Sequence, residues 1–159
     1  MKRIAVLPGT FDPVTTGHYD LVKRASVIFD EAIVLVAENS EKRTLFSLSD
    51  RTRLCEAAFK DLENVRVLPC EKVVADLANE LGATCLVKGA RNGYDFSYEL
   101  QLFGATRSLG APDTLILPVK PELSAVSSTF VRELLRYGKD YSAYVPKGAL
   151  ELLGSLLKI

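Results

Sequence analysis

The sequence has no tryptophan, one methionine, one histidine and three cysteines in 159 residues. Each shortage excludes something. The cysteines, Cys55, Cys70 and Cys85, are odd in number, far apart and without a CxxC pair or a neighbouring histidine. They make neither a disulfide framework nor a thiolate zinc site, and read as buried, inert thiols of a reducing cytosol. Lysine plus arginine (20) equals aspartate plus glutamate (20), so the formal charge is zero. No global field draws such a chain to nucleic acid or to an anionic membrane. The longest apolar run, AIVLVA at 32–37, is far too short to cross a bilayer. The apolar part of the opening MKRIAVLPG is too short for a signal peptide. A soluble, cytoplasmic protein is expected. No phosphate loop of the GxxxxGK type occurs, and no GxGxxG follows the first strand-like run. P-loop kinases and nicotinamide dehydrogenases therefore lose support.

What is present is apolar and orderly. Hydrophobic residues make up 48% of the chain, enough for a packed core. Five short aliphatic runs, Ile4–Leu7, Ala32–Ala37, Val65–Leu68, Thr84–Val87 and Thr114–Leu117, lack strict alternation. They read as strands of a parallel sheet covered on both faces. Segments of helical spacing lie at 17–29, 49–61, 71–81, 92–109, 127–137 and 146–158. The order predicts an α/β fold, a Rossmann-like doubly wound five-stranded parallel sheet with helices on both faces. No repeat, linker or low-complexity tract divides it, so one domain over 1–159 is expected. Within 92–109, Tyr94, Tyr98, Leu102 and Ala105 recur at three- and four-residue intervals and predict an apolar face, with Tyr98 in the core.

In open parallel sheets ligands bind beyond the carboxyl ends of the strands. The segments placed there, PGTFDP, ENSEKR, KGARNGYD and PVKPELSAVSST, carry Lys42, Arg43, Lys88, Arg91 and Lys120. A neutral chain thus gathers cations at one rim, as a small, highly anionic ligand requires. In PGTFDPVTTGH, Gly9 suits a sharp turn, Thr10 supplies a hydroxyl and Thr16 suits an N-cap. His18 then falls in the first turn of a helix, whose free N–H groups attract phosphate and disfavour a second positive charge. A neutral, hydrogen-bond-donating imidazole is expected. In VKGARNGYDFSYELQ, Lys88 and Arg91 flank Gly89, and Glu99 lies two turns on, placed to receive a ribose or amino group. In AVSSTFVREL, Ser127, Ser128 and Thr129 start another helix. Val73 and Val74 are read as core before pocket.

GTFDPVTTGH together with VSSTFVR resembles the paired signatures of the nucleotidylyltransferase superfamily, (H/T)xGH near one end and (I/V)SSTxxR near the other. With threonine at position 15, and with KGAR and DFSYELQ between, the chain is similar to the bacterial phosphopantetheine adenylyltransferase family from Arg3 to about Val145. The resemblance implies a single nucleotidylyltransferase domain that transfers an adenylyl group from ATP to 4′-phosphopantetheine. The products would be dephospho-coenzyme A and pyrophosphate, and Mg²⁺ would accompany ATP. It implies that His18, Thr10, Lys42 and Arg91 serve catalysis. Phe11, Gly89, Ala90, Arg91, Glu99 and the run Ser124, Ala125, Val126, Ser127, Ser128, Thr129, Phe130 would join Thr10 and His18 around ATP. Thr10, Lys42, Val74 and Lys88 would hold the second substrate. No protein-bound metal, nucleic acid or membrane partner is implied. A homohexamer and inhibition by coenzyme A are. The family usually has arginine where this chain has Lys88. The nearest alternative is another superfamily member, acting on nicotinamide mononucleotide or glycerol 3-phosphate. Thr15 and the KGAR…YELQ block argue against it. A receiver- or flavodoxin-like binding module stands further off.

Overall fold

The computed structural model of the chain describes residues 1–38, 41 and 43–158. Five strands, β1 (Ile4–Gly9), β2 (Glu31–Ala37), β3 (Val65–Cys70), β4 (Cys85–Ala90) and β5 (Asp113–Pro118), form one sheet. The helices are α1 (Thr16–Ile28), α2 (Leu48–Phe59), α3 (Val74–Glu80), α4 (Gly93–Ser108), α5 (Ser128–Arg136) and α6 (Lys147–Leu156). The strand order is β3-β2-β1-β4-β5, and every pairing is parallel.

The unbroken apolar runs have a simple cause. Side chains alternate across a sheet, and here both faces are covered. Ala5, Leu7, Ala32, Val34 and Val36 pack under α1, α2, α5 and α6. Val6, Ile33, Leu35 and Leu86 pack on the other face with Ala75 and Ala78 of α3. The buried set includes residues at 0% exposure such as Ala5, Val34, Leu54 and Leu153.

The strands run further than their apolar cores predict. Pro8, Gly9, Lys88, Gly89 and Ala90 belong to strands rather than to the loops after them, because backbone pairing continues past the last aliphatic residue. The pairing also ends unevenly. β1 stays in register with β2 from Ile4–Glu31 to Gly9–Val36. With β4 its register spans Ala5–Cys85 and Val6–Leu86 among the described residues. Pro8, which has no N–H to give to a ladder, stands just beyond the point where β1 and β4 part. This is also where the strand order reverses, so the crossovers leave toward opposite sides and the crevice stays open.

Several local expectations are corrected. Thr15, not Thr16, caps α1, and α2 begins at Leu48, one residue before the expected bound, with Ser47 as its cap. In each case the chain chooses the hydroxyl three residues before an amide that it can reach. Val73 precedes α3 and is 49% exposed, and Val74 is half-buried, so neither is fully in the core. Gly138, at φ +61°, follows the last turn of α5 as expected of a helix stop. A short 3-10 turn, Pro121–Leu123, was not anticipated. Tyr98 is 57% and Tyr94 88% exposed. None of the residues of α4, all of them described, is buried. The half-buried face of α4 is Asp95, Glu99, Leu102, Phe103 and Thr106. Periodicity found a stripe of tyrosines but could not say which side of the helix meets the sheet.

Among the described residues no helix is long and apolar enough to cross a membrane. Where α6 crosses α2, a Cβ at Gly148 would collide with the carbonyl oxygen of Ala57. Backbone cannot yield as a flexible side chain can, so Gly148→Ala should destabilise the fold by about 1–3 kcal/mol. A urea melt reads this as a lower midpoint, and an unchanged midpoint would disprove the contact.

Candidate active site

The crevice between β1 and β4 opens into two cavities of about 330 Å³ each. The first is lined by His18, Gly89, Arg91, Asp95, Ser127 and Ser128, among others. The second is lined by Thr10, Glu38 and Val74, and by Leu102, Phe103 and Thr106 from α4. Pro8, Gly9, Lys88 and Glu99 line both. A third cavity, about 510 Å³, lies beside them among Thr10, Phe11, His18, Arg43, Thr44, Ser128, Thr129 and Arg132. His18 and Ser128 are common to the first and third, and Thr10 to the second and third.

His18 is the third residue of α1, and its position follows from capping. Thr15 Oγ1 accepts a hydrogen bond from the His18 backbone N–H at 3.3 Å. In return the Thr15 N–H donates to His18 Nδ1 at 3.0 Å. Nδ1 is therefore an acceptor, and in the neutral ring the proton sits on Nε2. Burial, and then the nearby Arg91 guanidinium, lower the imidazole from its ordinary value of 6.5 to about 4. The imidazole is thus a neutral donor at the positive end of a helix. Phe11 holds it from one side, ring edge to ring face at 4.8 Å.

Phe11 also revises the part of Gly9. The left-handed residue of this loop is Phe11, at φ +50°, a conformation that non-glycine residues adopt at about 1–2 kcal/mol. Gly9 is extended strand, and its lack of a side chain makes room. A Cβ there would stand 2.9 Å from the Phe11 ring. The strain at Phe11 is held by a dense set of bonds around it. Asp12 accepts from the amides of Leu45 and Phe46 at 2.8 and 2.9 Å. Ser128 Oγ donates to Pro13 O, and Arg132 to Asp12 O, both at 2.8 Å.

Arg51 is the other brace. At 0% exposure, it donates to Thr10 O at 2.7 Å, Ala37 O at 2.9 Å and Phe46 O at 3.1 Å. It pairs with Glu38 at 3.0 Å. One guanidinium thus ties the ends of β1 and β2 together, which only a planar five-donor group can do. Arg51 and Asp12 were not expected in these roles. Arg51 sits in a helix like any solvated arginine, and Asp12 reads as a turn residue. Arg132 was visible only as part of VSSTFVR, Leu102 only as part of an expected apolar helix face, and Phe103 not at all.

The expected cations are divided. Lys88 and Arg91 reach the crevice, and Arg43 lines the third cavity. Lys120 instead pairs with Asp20 of α1 at 2.7 Å, and Lys42 lies outside the described residues. Lys88 Nζ lies 3.5 Å from the Glu99 carboxylate. Arg91 bonds Asp95 through both its backbone N–H and Nε, at 3.0 and 2.9 Å, and holds that carboxyl below the usual range. Ser127 Oγ caps α5 by accepting from Phe130 N–H, and Thr129 Oγ1 accepts from Arg132. Val126, Ser127, Ser128 and Thr129 line the cavities, whereas Ala90, Ser124, Ala125 and Phe130 do not. Phe130 packs edge-on against Tyr144. Among the described residues no three His, Cys, Asp or Glu side chains are grouped to hold a metal ion.

The chain can therefore offer converging cations, hydroxyls and one neutral imidazole to a polyanion, with an apolar cavity alongside. Comparison with known proteins agrees with that chemistry. Residues 6–134 match the cytidylyltransferase-like family. The chain is 42% identical to a phosphopantetheine adenylyltransferase of Thermotoga neapolitana, over 98% of this chain and 97% of that one. It is 38% identical to the protein of that name from Vesicomyosocius okutanii, over 96% and 98%. A solved structure from Vibrio parahaemolyticus, described as a nicotinate-nucleotide adenylyltransferase, superposes with a TM-score of 0.76 at 24% identity. It covers 99% of this chain and 94% of that one, and shows the shared fold.

Because the chain has one histidine, its titration can be read without assignment. The folded value lies below the unfolded one, so the unfolded state binds the proton first as pH falls. His18 should contribute stability above pH 6.5 that is lost between 6.5 and about 4. The single imidazole signal in an NMR titration should show its midpoint near 4. A midpoint near 6.5 would mean that the ring is open to water.

Proposed function

The chain belongs to the phosphopantetheine adenylyltransferases, within the cytidylyltransferase-like family, and from that membership we infer how its cavities divide the reaction. The enzyme transfers the adenylyl group of ATP to 4′-phosphopantetheine and releases dephospho-coenzyme A and pyrophosphate, a step of coenzyme A synthesis. The observation that carries the assignment of sites is the pair of cavities meeting at Lys88 and Glu99, the first the more polar of the two and the second walled by Val74, Leu102 and Phe103.

ATP occupies the first cavity, near Gly89 and Arg91, with its phosphates running past His18 toward Arg43 and Arg132 in the third. The pantetheine arm lies along Val74, Leu102 and Phe103, and its phosphate meets Lys88 and Thr10. Lys42 joins that phosphate as the family resemblance implies. An oxygen of the phosphopantetheine phosphate attacks the α-phosphorus of ATP. A P–O bond forms on one side as the bond to the pyrophosphate oxygen breaks on the other. The nucleophile is already ionised at neutral pH, so alignment and charge neutralisation replace a general base. His18 Nε2–H donates to a non-bridging oxygen of the α-phosphate, which gains charge in the transition state. An imidazole that stays neutral keeps that donor across the physiological range.

Mg²⁺, brought by ATP, would neutralise the triphosphate and the leaving pyrophosphate. The third cavity offers it hydroxyls, while the Asp12 carboxylate is committed to two amides. The ion would thus take its ligands from phosphate oxygens and water, as Mg²⁺ commonly does.

The working assembly is a homohexamer of the cytoplasm, open to inhibition by coenzyme A, which resembles both product and second substrate. The uncovered outer side of α4 supports association. Tyr94, Phe96, Tyr98 and Leu100 are 88%, 45%, 57% and 51% exposed, an unusual apolar display for a lone monomer. A transferase acting on nicotinamide mononucleotide is the second reading. The Vibrio neighbour, described for nicotinate nucleotide, speaks at 24% identity for the fold alone.

Incubation with ATP, Mg²⁺ and 4′-phosphopantetheine should yield dephospho-coenzyme A and pyrophosphate. Turnover with nicotinamide mononucleotide alone would transfer the assignment to the second reading. A folded His18→Ala variant should lose about 3 kcal/mol of transition-state stabilisation, roughly a hundredfold or more in kcat. Near-normal turnover would reject the role of His18.

A further inference from the structure

Lys88 and Glu99 stand in an unusual relation to the two cavities. Both side chains line both cavities, and they pair with each other at 3.5 Å, at 23% and 14% exposure. Among the described residues Lys88 is the one ion-pair partner of Glu99. The pair therefore lies between the two cavities, and a ligand that engages it from one side changes what the other cavity presents.

We propose that this pair couples the two substrates, with Glu99 as a positioning residue that holds the Lys88 ammonium in wait and passes to the nucleotide when a phosphate takes the lysine. The inference rests on the placement of ATP in the first cavity and 4′-phosphopantetheine in the second. A phosphate dianion competes with Glu99 for Lys88 and wins on charge. The lysine can follow it, because an ammonium on a four-carbon stem is mobile where a guanidinium fork is not. Glu99 is then a largely desolvated carboxylate without its counter-ion, a costly state. In the first cavity the ribose hydroxyls of ATP are donors that relieve it. With ATP bound, releasing Lys88 is cheaper, so phosphopantetheine binds more tightly. By linkage phosphopantetheine must tighten ATP by the same factor.

The opposite sign is physically available and makes the idea testable. If Glu99 found no donor on the nucleotide, its freed charge would repel the triphosphate, and the two ligands would weaken each other. The measurement is calorimetric titration of 4′-phosphopantetheine with Mg²⁺, with and without a saturating non-hydrolysable ATP analogue. The analogue should tighten binding about fivefold or more, the low end of ordinary coupling. In Glu99→Gln, an isosteric change, 4′-phosphopantetheine alone should bind more tightly because Lys88 is already free. The effect of the analogue should then fall to within about twofold of none. Lys88→Arg supplies a second variant: a fork that bonds Glu99 and phosphate together should keep affinity and shrink the coupling. Equal affinity with and without the analogue, mutual weakening, or full coupling retained in Glu99→Gln would overturn the proposal. If both ligands bind and turn over but do not couple, the coupling alone fails. If either does not bind and no product forms, the reading of the site falls and takes this inference with it.

Discussion

Everything functional in this molecule depends on the parting of β1 from β4. A parallel sheet is normally sealed by its own hydrogen bonds and by the helices above and below it. Here the strand order reverses between these two strands, and their register stops after Val6 and Leu86. The crossovers depart to opposite faces, so the crevice opens at the carboxyl ends of the two strands while α1 packs behind it through Leu21. Two cavities follow from that geometry, and so does the placement of Gly9 and Gly89 at the edges of the gap. A Cβ at Gly89 would press on Leu21 and Val119 at 3.3 and 3.4 Å. Small residues at the seam keep it open to a ligand and still packed from behind.

An open crevice needs walls that do not collapse, and the walls are braced from within. Arg51 spends its guanidinium on Thr10, Ala37, Phe46 and Glu38. Asp12 spends its carboxylate on Leu45 and Phe46. A buried ion with every polar atom bonded is rigid, whereas one with a missing partner is a liability of several kcal/mol. These two charges thus hold the strained Phe11 turn, and through it the imidazole. His18 stays neutral because burial and Arg91 oppose its protonation, and the capping bonds choose which nitrogen carries the proton. The tautomer that the imidazole presents to the crevice is a consequence of helix capping.

α4 shows where local reasoning stops. Its tyrosines recur at helical spacing, and a core face was the natural expectation. In the fold Tyr94 and Tyr98 face outward, while Asp95, Glu99, Leu102 and Phe103 face the cavities. A period of 3.6 residues identifies a helix and a stripe, but the direction of the stripe is set by what the helix lies against. The same holds for Lys120, which sequence groups with the site and the fold gives to Asp20.

The sequence by itself determined the alternation of strand and helix, the two-faced burial of the sheet and the first-turn position of His18. Those are local properties: apolar run length, helical period and the few residues that cap a helix. The families to which PGTFDPVTTGH and VSSTFVR point were legible for the same reason, since short motifs carry their chemistry within themselves. Tertiary structure decided what those motifs face. It chose Thr15 over Thr16 as the cap, turned Gly9 from a sharp turn into a space for Phe11, and made buried Arg51 the brace of the site. It also brought Lys88 and Glu99, eleven positions apart, into one ion pair between two cavities. Contacts between distant segments depend on how strands order and helices lean, and no local pattern encodes them.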